Sequence, residues 1–232
     1  MENNKVLILD DEDSIRQFMK INLEYQGYQT VEAASGEEAL KVFEDEDPAI
    51  AILDVMLPGI SGFDVCQSIR DKSPKTGIIM VSAKSQDIDK ILGLERGADD
   101  YIIKPFNPQE LILRVRSLMR RVNLTMVNKE ESNDKNISDG PFTLDLYSKA
   151  FSKNDKEIDV TPTEFAILKN FIQNKGKAMT RDEIMEATWG ANYSNDTKIV
   201  DVNIRRIRAK IEEDPAKPQY IETVWGTGYR WK

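Results

Sequence analysis

The sequence contains no histidine and a single cysteine, Cys66. Nothing in the chain can therefore be a phosphohistidine, an imidazole general base or an imidazole metal ligand. A phosphoryl group that travels through histidine here needs a partner's histidine. One cysteine excludes an intrachain disulfide, which fits a cytoplasmic protein. No apolar run approaches the roughly 20 residues of a membrane span. Met1-Glu2-Asn3-Asn4-Lys5 leads straight into a strand pattern, so no signal peptide is visible and no membrane partner is expected. Positive charge falls short of negative, 32 basic side chains against 40 acidic, and the shortfall is unevenly spread. The net charge is −8, and residues 1–122 hold 15 basic against 22 acidic side chains. Residues 138–232 hold 15 of each. A neutral segment is not an obvious polyanion binder, so a nucleic-acid role must rest on where its cations lie.

What is present suits a soluble globular chain of one or two domains: 232 residues, 40% of them hydrophobic and 31% charged. The organising stretch is Ala49-Ile-Ala-Ile-Leu53 followed by Asp54. Its apolar run reads as a strand buried on both faces, and Pro58-Gly59 forces a turn after it. Upstream, Lys5–Leu9 predicts a strand ending at Asp10-Asp11, Ser14–Gln26 an amphipathic helix, and Tyr28–Glu32 a second strand. Ser35 with Glu38 predicts a capped helix to Glu46. Downstream come a helix over 61–70, a strand over 77–82, a helix over 87–96, a strand over 100–103 and a helix from Pro108 to about Arg121. Strands alternating with helices predict an α/β fold, a doubly wound parallel sheet.

The polar residues at the strand ends form a set. Asp10 and Asp11 end the first strand, Asp54 the third, Ser82 the fourth, and Lys104 follows the fifth. In a flavodoxin-like order, 2-1-3-4-5, the first and third strands adjoin at the switch point where such sheets place ligands. Any one of these residues alone reads as a turn or cap; their shared end makes the pattern specific. Three clustered carboxylates repel unless a cation joins them, and with a backbone carbonyl they suit Mg²⁺. Lys104 and Ser82 are then placed to hold phosphate oxygens.

These residues, with Met-Leu-Pro-Gly after Asp54, Ser82-Ala83, Gly-Ala-Asp-Asp-Tyr at 97–101 and Lys104-Pro105-Phe106, resemble a response-regulator receiver domain over 1–121. The resemblance implies that Asp54 accepts a phosphoryl group from a sensor histidine kinase, with Mg²⁺ bound by Asp11, Asp54 and the Met56 carbonyl and supported by Asp10. It implies a switch pair, Ser82 turning toward phosphate and Tyr101 swinging inward, and a cis bond before Pro105. It extends to receivers that form a homodimer when phosphorylated, through pairs matching Lys90–Glu110, Asp99–Arg116 and Asp100–Arg114.

Residues 122–137 lose periodicity and read as a flexible linker. Beyond them, short strands are predicted at 142–146, 150–151 and 157–160, and helices from Thr161 to Lys175 and from Thr180 to Trp189. The third helix, Asp196 to about Glu212, carries Val200, Ile204, Ile207 and Ile211 on one stripe. Lys198, Val202, Arg205 and Ala209 are expected to point away from that stripe, with Arg206 and Arg208 on its flanks. A helix apolar on one side and cationic on the other suits the DNA major groove. Tyr220–Val224 and Tyr229–Trp231, joined by Trp225-Gly226-Thr227-Gly228, predict a terminal hairpin. The set over 138–232 resembles an α+β winged helix-turn-helix effector of the OmpR/PhoB type. The resemblance implies that Asp201 and Arg206 lie near base edges of promoter double-stranded DNA. It puts Lys198, Asn203, Arg205, Arg208, Thr223 and Tyr229 opposite phosphates, adds Trp189 and Trp225 to the DNA-facing set, and leaves loop 190–195 to RNA polymerase. Trp225 stands where some members carry a minor-groove arginine, and cannot reproduce that cationic contact.

The expected function is a two-component transcriptional regulator rather than an enzyme. An aspartyl-phosphate phosphohydrolase would carry a second Asp two residues after the nucleophile, where this chain has Met56. An alternative is a DNA-binding regulator whose receiver dimerises without phosphorylation; the intact acidic pair and Lys104 disfavour it.

Overall fold

A computed structural model of the chain describes residues 3–83, 87–123, 136–191, 193 and 197–232, without the side chains of 87–90. The chain divides into two units, Met1–Val122 and Asn123–Lys232.

In the first unit β1 (Lys5–Leu9), α1 (Asp13–Tyr25), β2 (Gln29–Ala33), α2 (Gly36–Glu46), β3 (Ile50–Asp54), α3 (Gly62–Lys72), β4 (Gly77–Ser82), α4 (Asp87–Glu95), β5 (Asp100–Ile103) and α5 (Pro108–Val122) alternate along the chain. The sheet is parallel in the order β2-β1-β3-β4-β5, the doubly wound arrangement expected. Alternate side chains of each strand enter opposite cores, as the pleat requires. Val6, Ile8, Ile50 and Ile52 pack with Met19 and Leu23 of α1 and Leu111 and Val115 of α5. Leu7, Leu9, Ala51 and Leu53 pack with Ala39 and Phe43 of α2 and Val65 and Ile69 of α3. Burying strands on both faces is why these sequences are apolar throughout. The registers Leu9↔Leu53 and Asp54↔Val81 set the ends of β1, β3 and β4 side by side.

Local chemistry fixes the helix starts. Ser35 and Ser61 cap α2 and α3 by accepting from the amides of Glu38 and Asp64. The Glu38 carboxylate reaches back to the amide of Ala34 rather than of Ser35, one residue before the predicted box. Gly62 is required by space: a Cβ there would lie 1.8 Å from the carbonyl oxygen of Asp54. The first turn of α3 is thereby laid directly against the end of β3.

The second unit begins with β6 (Asn136–Asp139), β7 (Phe142–Asp145), β8 (Ala150–Lys153) and β9 (Lys156–Ile158), an antiparallel meander. β6 starts two residues inside the stretch expected to be linker. Then follow α6 (Pro162–Gln173), β10 (Ala178–Thr180), α7 (Arg181–Trp189), α8 (Lys198–Ile211), β11 (Ile221–Val224) and β12 (Gly228–Trp231). The order β10-β12-β11 adds a third strand to the predicted hairpin, making the winged helix-turn-helix wing a three-stranded sheet. β10 escapes a sequence reading because three residues are too few to show alternation. Gly228 permits it, since a Cβ there would lie 2.2 Å from the carbonyl oxygen of Met179. Full capping boxes start α6 (Thr161, Glu164) and α7 (Thr180, Glu183). No described helix is long and apolar enough to cross a membrane.

Candidate functional site

The carboxyl ends of β1, β3 and β5 bring four charged groups together. Asp10 is fully buried, Asp54 is 3% exposed and Asp11 is exposed. One oxygen from each lies within 4.8 Å of the others. Lys104 Nζ donates to Asp10 Oδ2 at 2.7 Å and to Asp54 Oδ2 at 2.9 Å. Asp54 Oδ1 accepts from the Met56 amide at 3.3 Å, and Asp10 Oδ1 from the Glu12 amide at 3.0 Å. Arg16 Nη1 ties the acidic loop down through the carbonyls of Asp10 and Asp11, at 2.8 and 3.2 Å. The Lys104 amide donates to the Ser82 carbonyl at 2.8 Å, and the Lys104–Pro105 bond is cis.

The electrostatics of this cluster are unbalanced. Burial pushes the Asp54 carboxyl upward; the hydrogen bond and charge of Lys104 oppose it, Asp10 adds to it, and the net direction is above the usual carboxylate range. Burial also acts to lower Lys104, but Asp10 and Asp54 together hold its ammonium above its ordinary value. The two partners thus disagree over one ion pair: Lys104 gains by being charged and Asp54 does not. Burial raises Asp54 beyond what half of one lysine can offset, while two acids together hold that lysine charged. The excess negative charge and the all-oxygen donors are compatible with a divalent cation such as Mg²⁺. An open cleft of about 460 Å³ adjoins them, lined by Asp11, Met56, Pro58, Ser61 and Phe63 among others. Ser82 is fully buried at the end of β4, and the Tyr101 ring is 4% exposed, packed inward with Met80 and Phe63.

The expected dimer face differs from a simple charged surface. The side chain of Lys90 lies outside the described residues. Asp99 is fully buried, its Oδ2 accepting from Arg70 Nη2 at 2.9 Å and the Ile78 amide at 3.0 Å. Asp100 is also fully buried, and Arg114 bridges it at 3.0 Å and Glu110 at 2.7 Å within one protomer. Arg116 donates to Gln26 Oε1 at 3.1 Å.

On the second unit the structure redistributes the predicted DNA-facing residues. Lys198, Arg205, Thr223 and Trp225 are exposed, Trp225 at 92% on the hairpin tip. Four others turn inward. Asn203 is fully buried and donates to the Ile199 carbonyl at 2.8 Å, one turn back along α8. Trp189 is 2% exposed and packs near Tyr193. Tyr229 is 6% exposed; its hydroxyl donates to Asp201 Oδ1 at 2.8 Å, and Arg181 Nε meets the same oxygen at 2.7 Å. Arg206 turns inward, its Nη2 lying 2.9 Å from Glu164 Oε1. Val202 is 5% exposed, not outward, because α8 packs against both α6 and α7 and a single stripe cannot cover two neighbours. Arg208 lies over the Tyr229 ring and donates to the Ile221 carbonyl at 2.7 Å and Thr223 Oγ1 at 3.0 Å, bolting the hairpin to α8.

Glu164 is the residue that sequence reasoning missed as a partner. It is fully buried at the start of α6. Oε2 accepts from Lys210 Nζ at 2.6 Å and the Thr161 amide at 2.9 Å, while Oε1 faces Arg206. Burial pushes its carboxyl upward, but Arg206 and Lys210 outweigh burial and hold it below the usual range. The available signal was an acid in a capping box together with cations spaced i, i+4 on a later helix.

Comparison with known proteins agrees with both halves. Residues 6–116 match the response regulator receiver domain, and residues 155–231 the C-terminal domain of transcriptional regulatory proteins. The chain is 41% identical over 233 residues to the alkaline phosphatase synthesis transcriptional regulatory protein PhoP of Bacillus subtilis (strain 168), covering 98% of this chain and 96% of that protein. It is 42% identical over 231 residues to the probable transcriptional regulator ycf27 of Porphyridium aerugineum, covering 99% and 96%. Among solved structures, the response regulator DrrB, a Thermotoga maritima OmpR/PhoB homologue, shares 32% identity and a TM-score of 0.52 over 98% of both chains.

Proposed function

Because the chain belongs to the OmpR/PhoB-type response regulators, phosphorylation-activated regulators of transcription built from a receiver and a DNA-binding domain, we propose that Asp54 is its phosphoacceptor. A carboxylate oxygen of Asp54 attacks phosphorus on the phosphohistidine of a sensor kinase. The new O–P bond forms as the N–P bond breaks and the partner's histidine leaves. Asp10, Asp11, Asp54 and the Met56 carbonyl would hold Mg²⁺, which when bound offsets charge on the transferring group. Lys104 neutralises a phosphate oxygen as a point charge, and the Ser82 hydroxyl donates a hydrogen bond to another. Each such contact is made better in the active receiver conformation than in the inactive one, and that difference is what a population shift requires.

The observation carrying this reading is the convergence of Asp10, Asp54 and Lys104, with Lys104 2.7 Å from one acid and 2.9 Å from the other. The switched receiver pairs with a second copy through the α4–β5–α5 face, to which Lys90, Glu110 and Arg116 contribute and which the buried Asp99, Asp100 and Arg114 brace from within. Residues between Val122 and Asn136 tether the effector. α8 enters the major groove, with Lys198 and Arg205 toward phosphates and Trp225 at the wing tip. Loop 190–195 is offered to RNA polymerase, and the protein works in the cytoplasm. The test is intact mass after incubation with Mg²⁺ and a small phosphodonor, followed by sizing of the same samples. One phosphoryl adduct on wild type, none on Asp54→Ala, and a shift to dimer in wild type alone are expected. An equal adduct on both proteins overturns the assignment of Asp54.

A further inference from the structure

α8 carries five cations between residues 198 and 210, on a unit whose net charge is close to zero. They are not equivalent. Arg208 is committed to the hairpin carbonyl of Ile221 and to Thr223. Arg206 and Lys210 converge on one carboxylate, Glu164, which is 0% exposed, and Lys210 also donates to the Asp159 carbonyl at 2.8 Å. The Arg206 side chain is 12% exposed, so its guanidinium sits inside the fold. Lys198, Arg205 and Lys210 are exposed residues, but the Lys210 ammonium is held on the buried Glu164 carboxylate at 2.6 Å.

A carboxylate is not needed there merely to start α6. A neutral amide at position 164 would still accept the Thr161 amide's hydrogen bond and fill the same volume. What the charge adds is a strong acceptor for cations on another helix. Sequence-independent DNA affinity depends chiefly on how many phosphates a protein neutralises. A helix presenting all five cations would hold any duplex tightly and discriminate poorly. We propose that Glu164 is a specificity-determining residue: it withholds Arg206 and Lys210 from phosphate and so limits sequence-independent DNA binding by α8. The proposal rests on the reading of α8 as the DNA-binding element.

The test uses the full chain and a 30-base-pair random-sequence duplex, with affinity measured from 50 to 200 mM salt. The slope of log K against log salt changes by about 0.9 for each phosphate contact. Glu164→Gln, checked by circular dichroism for folding, is expected to bind the random duplex more tightly, with a slope steeper by up to about two contacts. Lys210→Gln and Arg206→Gln on the wild-type background are expected to leave the slope unchanged, whereas Arg205→Gln should flatten it by about one contact. The proposal is overturned if Arg206→Gln or Lys210→Gln flattens the slope as Arg205→Gln does. It is equally overturned if folded Glu164→Gln binds no more tightly than wild type. Should Glu164→Gln fail to fold, the lysine and arginine variants decide alone. If Arg205→Gln also leaves the slope unchanged, the fault lies with α8 as the DNA-binding element.

Discussion

Both units bury carboxylates against cations, but in opposite proportion. At the carboxyl ends of β1, β3 and β5, three carboxylates face one lysine. Beneath α8, one carboxylate faces an arginine and a lysine. In the first cluster burial raises the Asp54 carboxyl, and the one shared lysine does not offset it, so the site invites a cation or a change of state. The second is internally supplied with charge, so it lowers the Glu164 carboxyl and asks for nothing. An incomplete cluster serves as a switch and a complete one serves as a frame.

That contrast can be broken most forcefully at Glu164. Glu164→Ala leaves the largely buried Arg206 and the Lys210 ammonium without their shared acceptor and is expected to cost about 3–5 kcal/mol. All three tryptophans, Trp189, Trp225 and Trp231, lie in the second unit, so urea denaturation followed by tryptophan fluorescence reads that unit alone. Asp54→Asn, which removes a repelled charge, should leave the first unit at least as stable by circular dichroism in the absence of Mg²⁺. A loss there comparable to the loss at Glu164 would erase the distinction.

A second expectation concerns pH. The folded Glu164 carboxyl is depressed, so its stabilisation is full above the ordinary value near 4.3 and is lost as pH falls through the lower folded value. Asp54 is raised, so without a cation it disfavours the folded state as pH rises past the ordinary value near 3.9, and mild acid relieves it. Wild-type fluorescence melts should therefore lose stability on acidification more steeply than those of Glu164→Gln. Matching wild-type and Glu164→Gln profiles would show that the buried pair does not govern the acid response.

The smallest effect sharpens the comparison from within the second unit. Tyr229→Phe deletes the hydroxyl that joins the wing to Asp201 and should cost about 1 kcal/mol, read by the same fluorescence. A change below the resolution of the measurement would mean that the contacts of Arg208 and Glu212 with the hairpin suffice to hold it to α8.

The receiver was legible because its logic is periodic. Runs such as Val6–Leu9 and Ile50–Leu53 announce strands buried on both faces, and an acid at the end of each lands on a common edge. The face of α8 was less legible. Helical periodicity located its apolar stripe, but Arg206 lies 42 residues from Glu164, and no local pattern says which way a flanking arginine turns. Asn203 and Trp189 resembled DNA-facing residues, yet one spends its amide on Ile199 and the other fills space at the end of α7. Asp99, in the bend before β5, resembled a surface charge because its partner, Arg70, comes from α3, 29 residues earlier. Where a side chain's role depends on a distant partner, residue type and spacing fall short.

The strand order β10-β12-β11 has a consequence for how the molecule is made. The latest of these strands in the chain is the central one, so the wing sheet cannot close until residue 231 has been synthesised. All five receiver strands lie within the first 103 residues. During translation the part that receives the signal can reach its native form while the part that acts on it is still unfinished.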